Sequence, residues 1–143
     1  MDIFTSMHIG ASALKANRIR LNTISSNLAN VETTSTPEGG PYKRKSVIYE
    51  TKPLSFKEHL DVNLNEKVQG VQVAKIVEDQ EPPKKIFNPD HPDADDEGYV
   101  SMPNIDVLKE MVDMMSATRS FEANTTTIKS AKRMAMKALE IGR

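Results

Sequence analysis

Cysteine and tryptophan are absent from these 143 residues, and aromatic side chains supply only 5% of them. Without thiols there is no disulfide framework, no thiolate nucleophile and no cysteine zinc site. With 38% hydrophobic residues and few large rings, a self-sufficient core is hard to build, so part of the stability is expected to come from neighbouring molecules. Long hydrophobic runs are missing too, and nothing approaches the roughly 18 apolar residues of a membrane span. The opening Met1-Asp2-Ile3-Phe4-Thr5-Ser6-Met7-His8 is mixed and amphipathic, without the basic and apolar regions of a cleavable signal peptide. Stable membrane insertion is therefore not expected. A net charge of −1 argues against a nucleic-acid partner held by electrostatics, because phosphate binding needs an excess of Lys and Arg.

Catalytic patterns are equally scarce. There is no G-x-S-x-G, no glycine-rich phosphate loop and no serine-histidine-acid spacing, so no enzyme, no catalytic residue and no cofactor is expected. Nor does the chain supply the two poised carboxylates in a cleft that would cut a glycan. His8, His59 and His91 stand far apart and share no metal-ligand spacing. Asp93, Asp95 and Glu97 before Gly98 imitate the first half of a calcium loop. The position that should close it with a bidentate carboxylate is Asn104, so a solvated acidic turn and no metal site is the reading.

What is present is periodicity at both ends. Residues 104–143 carry an apolar-or-small stripe at spacings of three and four: Val107, Met111, Met114, Thr118, Phe121, Thr125, Ile128, Lys132, Ala135 and Leu139, with Ala117, Ala131 and Ala138 beside it. Residues 1–31 carry a matching one: Phe4, Met7, Ala11, Leu14, Arg18, Leu21, Ser25 and Leu28. Such heptads put side chains along one seam of a helix, as a coiled coil requires, with Arg18, Thr118, Thr125 and Lys132 as polar interruptions that could fix register. An ordinary antiparallel helical hairpin satisfies the same pattern. By helical rise the C-terminal helix would be about 60 Å long and the N-terminal one about 42 Å, so one overhangs the other. Exposed apolar turns on the overhang call for further copies to cover them.

Between the helices, residues 32–103 read as an irregular, β-containing middle. The first helix is expected to fail between Val31 and Thr36, where β-branched and turn-forming residues lead into Pro37 and Gly39-Gly40-Pro41. Lys45–Glu50 and Gly70–Val77 alternate apolar with polar residues and are expected to pair as half-buried strands. Leu54–Gln69 is poorly patterned, a mobile loop of about 54–69. Prolines at 82, 83, 89 and 92 are expected to break any regular element around them. The second helix should start after Pro103, with Asn104 as N-cap and Asp106 near the positive helix end. The fold class is thus mainly α with a small β middle, the two terminal helices forming a coiled-coil-like pair that packs with neighbouring subunits.

Charge follows this division. Residues 1–31 sum to +2, residues 32–103 to −5 and residues 104–143 to +2, the last with its positive charge late, at Lys129, Lys132, Arg133, Lys137 and Arg143. That basic end suits the helix macrodipole and reads as solvated or facing another subunit. A Met-rich, basic helix lying on anionic lipid is the alternative, though Glu110, Asp113 and Glu122 would then face like-charged headgroups.

A long N-terminal helix ending in Ser25-Ser26-Asn27-Leu28-Ala29-Asn30-Val31, then a Thr-rich turn and Pro41-Tyr42-Lys43-Arg44, resembles the N-terminal consensus of bacterial flagellar rod, hook and axial proteins. His91-Pro92-Asp93-Ala94-Asp95, Gly98-Tyr99-Val100 and the run Glu110 to Asn124 are similar to proximal-rod subunits of the flagellar basal body. The resemblance covers both ends and the segment before the last helix; Leu54–Gln69 and the tail Glu140–Arg143 depart from it. It implies a structural subunit of the periplasm-spanning rod that carries torque from the rotor ring to the hook. Its implied partners are other copies of itself, other rod proteins, the junction with the MS ring, and the type III export apparatus through which it leaves without a cleavable signal. The resemblance marks Ser26, Asn27, Leu28, Ala29, Asn30, Glu122 and Asn124 as family residues. The assembly interface is expected on Phe4, Met7, Leu14, Leu21 and Leu28 of one helix and Met111, Met114, Phe121, Ile128 and Leu139 of the other.

Overall fold

A computed structural model describes residues 3–51 and 69–141, with side chains from residue 5 onward. The seam position Phe4 and nearly all of the expected 54–69 loop therefore lie outside the described side chains. Helix α1 (Ile3–Ala29) is followed by strand β1 (Lys45–Thr51), β2 (Val71–Glu78), β3 (Lys84–Phe87) and β4 (Tyr99–Met102), and the chain closes with helix α2 (Val107–Ile141). The two helices pack antiparallel, and the β1–β2 ribbon lies against α1.

Helix α1 stops two residues before the expected break. The Asn30 N–H donates to the carbonyls of Ser26 and Asn27, and the Asn30 side-chain amide donates to the Ser26 carbonyl at 2.8 Å. One asparagine thus satisfies the open carbonyls of the last turn before any β-branched residue is reached. Gly39 and Gly40 take φ of +89° and +78°, the left-handed region where a side chain is strained, and reverse the chain. The Tyr42 N–H then reaches the Thr33 carbonyl at 3.1 Å, which lays residues 42–45 back over the end of α1.

Strands β1 and β2 pair antiparallel as expected, with Lys45 opposite Glu78 and Thr51 opposite Val71. The register slips between Ile48 and Tyr49, opposite Lys75 and Val73, so Ala74 bulges out of the ladder. The ribbon is fastened to α1 at Ser12, whose hydroxyl donates to the Ile9 carbonyl and accepts from the Val71 N–H at 3.1 Å. A Cβ on Gly70 would stand 2.7 Å from that hydroxyl, so only glycine lets the strand come this close.

The prolines do not suppress all regular structure. Lys84–Phe87 and Tyr99–Met102 form a second antiparallel ribbon that the sequence pattern misses. It starts directly after Pro83, where a missing N–H costs nothing, and Phe87 meets Tyr99 edge to face at 5.4 Å. The turn between them is folded by Asp95, whose carboxylate accepts from the N–H groups of Glu97 and Tyr99, with Gly98 at φ +79°. A carboxylate used in this way is a turn-former, not a closing calcium ligand. Changing Asp93, Asp95 and Glu97 to Asn together should leave thermal stability independent of added calcium. Saturable micromolar calcium binding in calorimetry, lost in the triple variant, would contradict this.

Asp106, not Asn104, caps α2. Its carboxylate accepts from the N–H groups of Leu108 at 3.0 Å and Lys109 at 3.3 Å, while the Asn104 amide donates to Glu81. Pro103 and Ile105 just before Asp106 are buried, and the Ile105 N–H donates to the Pro103 carbonyl at 2.9 Å, a tight turn at Asn104. Asp106→Ala should cost about 1 kcal/mol, read as a lower midpoint in urea with unchanged slope.

Candidate assembly interface

The contact between α1 and α2 uses half of the expected seam. Gly10 and Ile24 are buried and Asn17 half-buried, with Met7, Leu14, Leu21 and Leu28 half-buried beside them. In α2, Ala117 and Ala131 are almost fully enclosed, and Met114, Phe121, Asn124, Ile128 and Ala135 are half-buried around them. The positions 7, 14, 21, 28 and 114, 121, 128, 135 are thus as read from the sequence. The alternate heptad row lies one residue earlier in both helices, at 10, 17, 24 and at 110, 117, 124, 131. Ala11, Arg18 and Ser25, and likewise Val107, Met111, Thr118, Lys132 and Leu139, face outward. Arg18, Thr118 and Lys132, read as polar interruptions of the seam, thus stand outside the contact between α1 and α2. Thr118 and Thr125 instead turn their hydroxyls to the carbonyls of Met114 and Phe121 within their own helix.

Small residues on the shifted row bring the helices together. A Cβ on Gly10 would lie 2.9 Å from Cγ1 of Ile128, so Ile128 occupies the space a side chain would need. Arg20 and Asp113 pair across the seam at 2.9 Å, both about one-third exposed. Solvent screens a pair of this kind, so it aligns the helices more than it stabilises them. Beside it, burial raises the Tyr49 phenol above its usual 10.0, with the Arg20 charge opposing.

Where α1 ends and α2 begins, the seam is polar and closed. Asn27 and Glu110 are each 1% exposed. The Asn27 amide donates to the Lys45 carbonyl at 2.8 Å and to Oε2 of Glu110 at 3.1 Å; its oxygen accepts from the Lys45 N–H and the Tyr42 hydroxyl. Oε1 of Glu110 accepts from Nε and Nη2 of Arg44 at 2.7 and 2.6 Å, and Arg44 also donates to Ser46. Among the described residues no buried side-chain nitrogen or oxygen lacks a partner. Three segments that share no backbone ladder are therefore locked by one network, whose members are costly to separate because each would be left unsatisfied.

The outside of α2 is the reverse. Leu108, Leu139 and Ile141 are 75%, 71% and 85% exposed, and Met111, Val112, Met115, Met134 and Met136 lie open as well. With Gly10 against Ile128, the last turn of the 35-residue α2 projects past the start of the 27-residue α1. No described helix is long and apolar enough to cross a membrane, and no group of three or more His, Asp or Glu among the described residues could hold a metal.

Apolar side chains are left open at both ends of α2, and the relatives of the chain are rod proteins by name. Residues 7–35 match the family described as "Flagella basal body rod protein", and residues 96–141 match "Flagellar basal body rod FlgEFG protein C-terminal". Over its full length the chain is 46% identical to the flagellar basal-body rod protein FlgC of Bacillus subtilis, covering all of that protein. It is 41% identical to the FlgC of Borreliella burgdorferi and 39% identical to that of Salmonella typhimurium, covering at least 98% of each chain and relative. The chain belongs to the flagellar basal-body rod protein family.

Within this rod-family chain, the Ser26–Asn30 motif has a structural job. Asn27 anchors the network, Ser26 meets the Tyr42 hydroxyl at 3.2 Å, and Asn30 ends the helix. Leu28 is half-buried and Ala29 exposed. Asn124 sits on the seam and donates to the Ser120 carbonyl, whereas Glu122 faces solvent. Glu110, which the sequence offers only as the start of a family run, is buried against Asn27 and Arg44, and Arg44 entered only as part of Pro41-Tyr42-Lys43-Arg44. The signal was available: Glu110 lies four residues before Met114 on the seam, where a carboxylate is tolerated only with a cation opposite.

Proposed function

We propose that this structural subunit of the flagellar basal-body rod belongs to the proximal rod and helps carry torque from the rotor ring to the hook. The observation that carries the reading is the apolar side chains left open at both ends of α2, in a chain whose relatives are rod proteins along their whole length. Roughly 25 cal/mol are gained per Å² of apolar surface removed from water, so these two clusters favour a bundle in which helix pairs cover one another. Met7, Leu14, Leu21 and Leu28 with Met111, Met114, Phe121, Ile128 and Leu139 are the contacts we assign to that packing, and Phe4 joins them by heptad position. Met111 and Leu139, turned away from α1, are free to meet neighbours. Other rod proteins, the MS-ring junction and the export apparatus are the further partners, and the action is structural, not catalytic. The chain carries no cofactor in this role.

Deleting the gene in its own bacterium should abolish swimming and leave basal bodies without rods. Restoring the Met111→Ser and Leu139→Ser double variant should give soluble, helical protein that fails to build them. Normal swimming of the deletion strain would sink the reading. Flotation of the purified protein with anionic liposomes would favour the lipid-surface alternative instead.

A further inference from the structure

The far half of α2 and the β3–β4 ribbon carry complementary surfaces at opposite ends of the molecule. No Asp or Glu occurs between Glu122 and Glu140, and Lys129, Lys132, Arg133 and Lys137 all lie in that interval. Their spacing of three, four and eight residues puts them on one stripe of the helix, turned away from Ala131 and Ala135, which pack toward α1. All four are exposed, and Met136 stands among them with Leu139 and Ile141 just beyond. Between Phe87 and Tyr99 the chain has Asp90, Asp93, Asp95, Asp96 and Glu97 and no Lys or Arg. Exposed Ile86, Phe87 and Tyr99 adjoin that turn. The turn is thus acidic, with exposed Lys84 and Lys85 on the strand behind it, and the far half of α2 is basic, with Lys137 paired to Glu140 at 3.2 Å; each adjoins exposed apolar side chains, and their net charges are opposite.

The two cannot meet within one chain. The ribbon is tethered at the end where α1 stops, through the Thr34 hydroxyl donating to Asp93 at 2.7 Å. From Glu110 at that end to Arg133, α2 runs roughly 35 Å. The acidic turn is also held in one shape by the Asp95 carboxylate, so presenting it to a partner costs little ordering.

We propose that the basic, methionine-bearing stripe on the far half of α2 docks the acidic β3–β4 ribbon of a second copy of this chain, head to tail. Such a contact joins two different patches and leaves one of each free, so it propagates as an open array and does not close into a dimer. Like ends repel, which fixes the polarity of the array. The inference rests on the rod reading only in taking the array as part of a shaft; it specifies which surfaces two copies would join.

Charge swapping tests it on the full chain. Sedimentation velocity of the wild type at low salt should show concentration-dependent association that weakens steeply as salt rises. Lys132→Glu with Arg133→Glu, and separately Asp90→Lys with Asp96→Lys and Glu97→Lys, should each weaken association by about tenfold or more while leaving the helical signal intact. Mixing these two variants should restore association, since the acidic stripe of one then meets the basic turn of the other. Because the chain has no cysteine, Asp96→Cys and Arg133→Cys proteins mixed under oxidation should form the mixed disulfide, and neither alone should do so as well. A wild type that stays monomeric, reversals without effect, or mixtures that neither associate nor cross-link would each overturn the proposal. Swimming and rod assembly in the gene-deletion experiment report on the rod reading independently. Normal rods from the Lys132→Glu, Arg133→Glu strain would leave that reading in place and remove this one.

Discussion

Glu110→Ala is expected to produce the largest loss of stability of any single substitution in this chain. The carboxylate is 1% exposed and joins the side chain of Arg44 to that of Asn27. Removing one partner of a buried ion pair typically costs about 3–5 kcal/mol, because the other charge stays behind without compensation. Here the guanidinium side chain is 22% exposed and can recover some hydration, which places the loss at the lower end of that range. In a chain of this size about 3 kcal/mol corresponds to a melting temperature lowered by about 10 °C. Glu110→Gln should be milder, since an amide keeps the shape and can still accept from Arg44 while losing the charge. Asn27→Ala should resemble Glu110→Ala, and the double variant should cost much less than the two losses added, as expected for one connected network. A melting temperature for Glu110→Ala within about 2 °C of the wild type would show that the network does not fasten the helix ends.

Gly10→Val should disrupt the other end of the helix pair. The first added carbon already falls 2.9 Å from Ile128, and valine adds two more on a side chain with essentially one rotamer in a helix. Overpacking of this kind costs about 1–3 kcal/mol. The helix-propensity gain on replacing glycine, a few tenths of a kcal/mol for valine, offsets only part of it. The obstruction can be relieved from the opposite side: Ile128→Ala removes the atoms that the new side chain would strike. The combined Gly10→Val, Ile128→Ala protein should then be more stable than the sum of the separate losses predicts, by about 1 kcal/mol or more, measured in urea. Additive losses would mean that the helices do not meet at these residues. Because the neighbouring seam positions are only half-buried, the same variant should impair assembly more than it impairs folding of the β1–β2 ribbon.

Both expectations concern residues that apolar patterning passes over. A seam is read from the sequence by ranking side chains for hydrophobicity at spacings of three and four, and that ranking selects Met111 over Glu110 and Ala11 over Gly10. The structure chooses the reverse. Glycine is favoured by the closeness of the opposite helix, and glutamate by a cation arriving from the segment before β1, 66 residues away in the chain. Neither condition is visible to a local window. The shift of one residue in the alternate row is about 100° around the helix, and it moves Arg18 and Lys132 out of the contact between α1 and α2.

The second ribbon illustrates a different blindness. Prolines at 82, 83, 89 and 92 read as breakers, and four of the eight strand residues that lie among or after them are held in place by pairing with a segment that follows an eleven-residue turn. Pairing of that range cannot be weighed without the Asp95 carboxylate that folds the turn.

By itself the sequence determined the two long helices, the pairing of β1 with β2, four of the recurring seam positions in each helix, and, through Ser26–Asn30 and the run from Glu110 to Asn124, membership of the rod family. These are properties of local spacing and residue type, which the unfolded chain already carries. Only the tertiary structure decided which way each helix turns its remaining apolar residues, and that Asn27, Arg44 and Glu110 form one buried network. The reason is that burying a polar group or omitting a side chain is favourable only when a specific partner or a close backbone stands opposite, and the partners here come from the two ends and the middle of the chain.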